Sequence, residues 1–62
     1  MITIAIAHTG NEHNRDTYSA TELTVHDNGE FEFTDNRGVN HSGKYIFVNY
    51  KIDLVLIFVP RP

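Results

Sequence analysis

The side chains that could do chemistry near neutral pH are four histidines, eight carboxylates and five Lys or Arg residues, with no cysteine. Imidazole titrates close to neutrality and serves both as a general base and as a zinc ligand, so the histidines are placed first. His13 lies in the most chemically varied stretch, beside Asn11, Glu12, Arg15, Asp16 and Tyr18. There, His13 oriented by Glu12 or Asp16 is the acid–base pairing that the spacing offers. No two histidines show an HxH or HExxH spacing, and no nucleophile elbow, phosphate loop or oxyanion motif accompanies them. Missing cysteines remove disulfides and thiolate metal ligands. The expectation is a non-enzyme with no catalytic residue, no metal site and no cofactor. His26 then becomes a surface neighbour of Glu30, and His41 a core-edge imidazole packed on Phe33.

Those residues are positioned by turns and by alternation. Glycine recurs at the same place in Asp27-Asn28-Gly29 and in Asn36-Arg37-Gly38. A two-residue Asn28-Gly29 loop would set Val25 against Glu32 and His26 against Phe31, mixing apolar with polar. A three-residue loop sets His26 against Glu30, Val25 against Phe31, Thr24 against Glu32 and Leu23 against Phe33, and the faces separate. That loop needs an αL residue, which Gly29 supplies at little steric cost. With Gly38 in the same role, Asp35 meets Val39, Thr34 meets Asn40, Phe33 meets His41, Glu32 meets Ser42, Phe31 meets Gly43 and Glu30 meets Lys44. A final hairpin turning at Asn49-Tyr50 would set Val48 against Lys51 and Phe47 against Ile52.

Before this meander, Ile2, Ile4 and Ile6 alternate with Thr3, Ala5 and Ala7, which reads as a strand. Residues 9–19 show no periodicity and read as a loop, long enough for so short a chain to suggest a function. Residues 52–59 are almost wholly apolar, the mark of a strand covered on both faces. Pro60 ends it, leaving residues 60–62 as a short tail. The fold expected is one all-β domain over 1–62, with about five antiparallel strands in a meander. It would curl into a small open barrel or sheet that dimerisation could complete.

Formal charge is −3, and Arg15, Arg37, Lys44, Lys51 and Arg61 do not cluster, which weighs against a nucleic-acid binder. No apolar run approaches the ~18 residues of a membrane-spanning helix, and the N-terminus lacks a basic leader. A cytoplasmic protein is therefore expected.

Pairing gathers Leu23, Val25, Phe31, Phe33, Val39, Tyr45, Phe47, Ile52, Leu54, Leu56 and Phe58 on a core face, completed by Ile2, Ile4 and Ile6. The opposite face is polar around the first two hairpins but apolar around the last, with Ile46, Val48, Val55, Ile57 and Val59. A contiguous apolar patch of that kind marks an interaction surface unless the chain covers it itself. The N-terminal strand or the 9–19 loop is one possible cover, and a second copy or a partner protein is the other. The function expected is a small protein-interaction module acting through a sheet face or edge, with Ile46, Val48, Val55 and Ile57 as its surface. A regulatory, accessory or phage-encoded host-interacting protein has this profile. The alternative is a barrel holding a small ligand or single-stranded nucleic acid with the loop residues Asn11, Glu12, His13, Arg15, Asp16 and Tyr18.

Overall fold

The computed structural model describes residues 1–8 and 11–60, and only the main chain at Asn11 and Glu12. Six strands form one mixed sheet: β1 (Ile2–His8), β2 (Asn11–Val25), β3 (Glu30–Asp35), β4 (Asn40–Lys44), β5 (Phe47–Tyr50) and β6 (Val55–Val59). Their order is β4-β3-β2-β1-β6-β5, so the sheet ends in two open edges, at β4 and at β5.

β1 lies between β2, its antiparallel neighbour, and β6, its parallel one. Its alternation decides both layers of the molecule. Ile4 pairs with Tyr18 and Val55, and Ile6 with Ile57, on the concave side, while Ala5 pairs with Leu56 and Ala7 with Phe58 on the other. The concave side holds the main core, where Ile4 and Ile57 are wholly buried with Ala20, Phe31 and Phe33. Ile2, Ile6, Leu23, Tyr45, Val48 and Val55 pack against it. A second cluster on the opposite side joins Ala5, Ala7, Leu56 and Phe58. Of the apolar run over 52–59, the part from Val55 to Val59 is strand, with Leu56, Ile57 and Phe58 buried on its two faces.

The first two hairpins have the register that side-chain patterning demands. Val25 pairs with Phe31, Leu23 with Phe33, Phe33 with His41 and Phe31 with Gly43. Gly29 and Gly38 have φ of 93° and 84°, the αL conformation of three-residue loops. Phe31 lies over Gly43 so closely that a Cβ there would meet its ring at 3.3 Å.

Three expectations need correction. Of the loop expected over residues 9–19, residues 11–19 are strand, and residues 9 and 10 lie outside the described residues. From Asn11 onward the chain is already β2, whose long first half pairs with β1. The register jumps from Ala7–Arg15 to His8–Asn11, so residues 12–14 bulge out. These side chains are exposed from His13 to Thr17, and a strand held by its main chain with wet side chains leaves no hydrophobic signature.

Second, the expected single strand through residues 39–48 is two strands at opposite edges of the sheet. The chain leaves β3 after Lys44 and joins β6 at Phe47, and Ile46 N–H donates to Phe58 O at 2.7 Å. Phe47 also pairs with Phe58, so two consecutive residues oppose one, a β-bulge that shifts the alternation by one residue. Tyr45 faces the main core, whereas Phe47 falls on the second face and Val48 on the first.

Third, the last turn is not Asn49-Tyr50. Lys51 N–H bonds Leu54 O at 2.8 Å, placing Ile52-Asp53 at the tip, with Val48 against Ile57 and Tyr50 against Val55. Consequently Ile57 is core rather than surface, and Val48 and Val55 are half-buried against the main cluster. Val39, Phe47 and Ile52, expected inside, are exposed.

Truncating a wholly buried Ile removes its transfer free energy and leaves a cavity. Ile57→Ala should therefore cost ~2–5 kcal/mol, enough to unfold a domain this small, whereas Ile46→Ala should stay within ~0.5 kcal/mol. Urea denaturation followed by circular dichroism measures both, and equal losses would contradict the core placed here.

Candidate functional site

Three places combine chemistry with position. The first is a knot at the β3–β4 turn. Asp35 is the buried charged residue of the described structure, at 4 % exposure. Its Oδ1 accepts the amides of Arg37 at 2.8 Å and Val39 at 3.0 Å, and its Oδ2 accepts from Arg37 Nη2 at 3.2 Å. His41 Nε2 lies 2.8 Å from the same Oδ2. The His41 contact, then the two amides and the guanidinium, outweigh burial and hold the Asp35 carboxyl well below the usual carboxylate range. A carboxylate only accepts, so His41 Nε2 carries the proton in this bond. The imidazole is stacked on Phe33 with centroids 4.7 Å apart. Tyr18 lies tilted against it at 4.4 Å while also touching Phe33 at 5.5 Å, so the three rings form one triangular cluster. An Asp–His pair can orient a general base, but here the ring is packed against two aromatics and the carboxylate is committed to the turn. Its role is to lock the β3–β4 hairpin and, through Asn36 N–H to Ser19 O at 2.8 Å, to fasten it to β2. Asp at the first position of Asp35-Asn36-Arg37-Gly38 is the sequence signal for such a turn, and pairing alone overlooked it.

The second place is a shallow polar groove of about 330 Å3 across β2, β3 and β4, lined by Glu22, Thr24, Glu32, Thr34, Asn40 and Ser42 among others. Thr34 Oγ1 donates to Asn40 Oδ1 at 2.7 Å. His26 meets Glu32 at 3.1 Å rather than its main-chain neighbour Glu30, whose carboxylate accepts from Asn28. No group of three metal-ligating side chains occurs among the described residues.

The residues expected to share a binding loop do not converge. Asp16 pairs with Ile6 and Tyr18 with Ile4, on the side of the main core, while Arg15 pairs with Ala7 on the other side. His13, Arg15 and Asp16 are exposed and Tyr18 is half-buried. The side chains of Asn11 and Glu12 lie outside the described residues.

The third place is the β5–β6 hairpin. Six large hydrophobics among the described residues are exposed, and Ile46, Phe47, Tyr50 and Ile52 are four of them, at 53 %, 50 %, 65 % and 106 %. Phe47 stacks on Phe58 at 4.3 Å, so the strip runs into the second apolar cluster. Of the expected interaction surface, only Ile46 belongs to this strip. Sequence reasoning missed Phe47, Tyr50 and Ile52. A bulge with no signature of its own turns Phe47 outward, and the turn at Ile52-Asp53 rather than Asn49-Tyr50 exposes Ile52 at the tip and leaves Tyr50 on the edge strand.

No family model, no curated protein and no solved structure matches the chain. No helix is long and apolar enough to cross a membrane.

Because the Asp35 carboxyl is lowered on folding, its contribution to stability is complete above the ordinary value of 3.8 and is lost as pH falls toward the folded value. Asp35→Asn should lower the melting temperature at pH 7 by more than about 5 °C. It should also flatten the decline of stability below pH 3.8, so that the two proteins converge in acid. Thermal melts between pH 7 and pH 2 that run parallel would show that this carboxylate is not engaged as described.

Proposed function

We propose that this chain is a small non-enzymatic protein-interaction module that binds through the β5–β6 hairpin. The observation that carries the reading is the gathering of Ile46, Phe47, Tyr50 and Ile52 into one exposed segment at an open sheet edge. Single exposed hydrophobics are ordinary, whereas four within seven residues of one edge hairpin, carried on both its faces and its tip, favour an edge that a partner covers. Each 100 Å2 of apolar area covered there contributes roughly 2.5 kcal/mol before the costs of association. The open edge of β5 adds main-chain donors and acceptors to the same place, the combination used in strand addition. A regulatory or accessory role, including that of a phage protein engaging a host protein, fits this size and surface. A cytoplasmic setting is in keeping with a chain without cysteine.

The test compares two double variants whose sites are exposed, each checked for folding by circular dichroism. Ile46→Asp with Ile52→Asp should abolish capture of protein partners, a differently tagged copy of the chain included. Glu22→Lys with Thr24→Lys, on the polar groove, should leave capture intact. If instead the groove variant loses partners and the hairpin variant keeps them, the hairpin is not the binding surface.

A further inference from the structure

We infer that the occupant of the β5 edge is a second copy of this chain, paired β5 to β5 in antiparallel fashion about a two-fold axis through Asn49. This rests on the hairpin being the interaction surface and assigns its partner. The bond from Lys51 N–H to Leu54 O identifies Lys51–Leu54 as a hydrogen-bonded pair. In the unbroken register Asn49–Leu56 and Phe47–Phe58 continue the series, so the main-chain groups of Phe47, Asn49 and Lys51 serve β6. Those of Val48 and Tyr50 then point outward from the sheet.

A second β5 can satisfy both outward residues at once in only one register. Val48 must lie opposite Tyr50 of the second copy, and the two-fold axis repeats the pair. Two hydrogen-bonded pairs form, with Asn49 facing its own copy between them. Registers shifted by two residues either centre on Val48, where the next donor, Ile46 N–H, already serves Phe58, or centre on Tyr50 and draw in the turn.

The same register meets the test of side chains. Pairing preserves faces, so Val48 packs on Tyr50 of the second copy, and Phe47 lies opposite Lys51 of the second copy, where an ammonium can rest on a ring. One step further out, Ile46 comes level with Ile52 of the second copy. All four exposed hydrophobics of the segment thus acquire a neighbour. The polar edge strand β4, Asn40–Lys44, has no comparable apolar set. A ladder of four residues is smaller than a standard interface of ~800 Å2 per partner, so the dimer should be reversible, with Kd on the order of 10 µM.

The chain has no cysteine, so one introduced thiol reports one contact. Opposed residues of a non-hydrogen-bonded pair have Cα atoms ~4.5 Å apart, within the span of a disulfide. Asn49→Cys should therefore oxidise to a covalent dimer in high yield at protein concentrations above Kd, and Thr24→Cys on the polar face should not. Sedimentation equilibrium of the unaltered protein should show a monomer–dimer equilibrium. Asn49→Arg, which sets like charges face to face on the axis, should weaken it at least tenfold.

The inference is overturned if the unaltered protein stays monomeric to about 1 mM, far above that Kd. It is equally overturned if Thr24→Cys cross-links while Asn49→Cys does not. If the protein is monomeric but Ile46→Asp with Ile52→Asp still abolishes capture of another protein, only the identity of the occupant fails. If a dimer forms that neither Asn49→Arg nor the Ile46–Ile52 double variant weakens, both this inference and the hairpin reading fail.

Discussion

Two consecutive amides hold the sheet in its curled shape. Tyr45 N–H donates to Gly29 O at 2.9 Å, and Ile46 N–H donates to Phe58 O at 2.7 Å. Neighbouring amides of an extended chain point to opposite sides, and here those sides are the two ends of one six-stranded sheet. The β2–β3 turn is drawn toward the end of β6, and Tyr45 strengthens the joint by donating its hydroxyl to His26 O at 2.6 Å. All six described strands lie in one sheet, so its apolar concave face is covered by the sheet curling onto itself. Curling brings Phe31 and Phe33 from β3 into one cluster with Ile57 from β6.

That joint also explains the exposed strip. Serving both ends of the sheet in successive residues shifts the alternation, and the bulge delivers Phe47 to the outer face. Phe47 finds Phe58 there but remains half in water. β5 is left as a four-residue edge strand whose outer main-chain groups and apolar side chains lie together. The geometry that completes the core thus creates the surface that the proposed function uses.

At the other end of the sheet, order comes from a charge rather than from apolar area. Asp35 is buried because the hydrogen bonds around it replace the water it loses, and these tie the β3–β4 turn, the imidazole of His41 and the Arg37 guanidinium into one unit. Tyr18 and Phe33 both lie against the imidazole, so the knot is continuous with the core. The β4 edge beside it is polar and carries Gly43 and Lys44, whereas the β5 edge is apolar. The two open edges of one sheet are chemically different, and that difference favours β5 for association.

What the sequence by itself determined is local. Gly29 and Gly38, together with the separation of Phe31 and Phe33 from Glu30 and Glu32, settle the registers of two hairpins because a one-residue slip would invert every face. Ile2, Ile4 and Ile6 mark β1, and the apolar run of residues 52–59 marks β6 with both faces covered over Val55–Val59, although its first two residues form the turn. Even within the last hairpin, the division of Phe47, Leu56 and Phe58 from Val48, Val55 and Ile57 was legible. Tertiary structure alone decided which of those two sets joined the main core, because that depends on a bulge at Ile46–Phe47 created by bonding to the β2–β3 turn and to β6. It alone made residues 11–17 a strand, since main-chain pairing with β1 needs no apolar pattern in β2. It alone set β1 parallel to β6, a contact between the two ends of the chain that no local rule encodes.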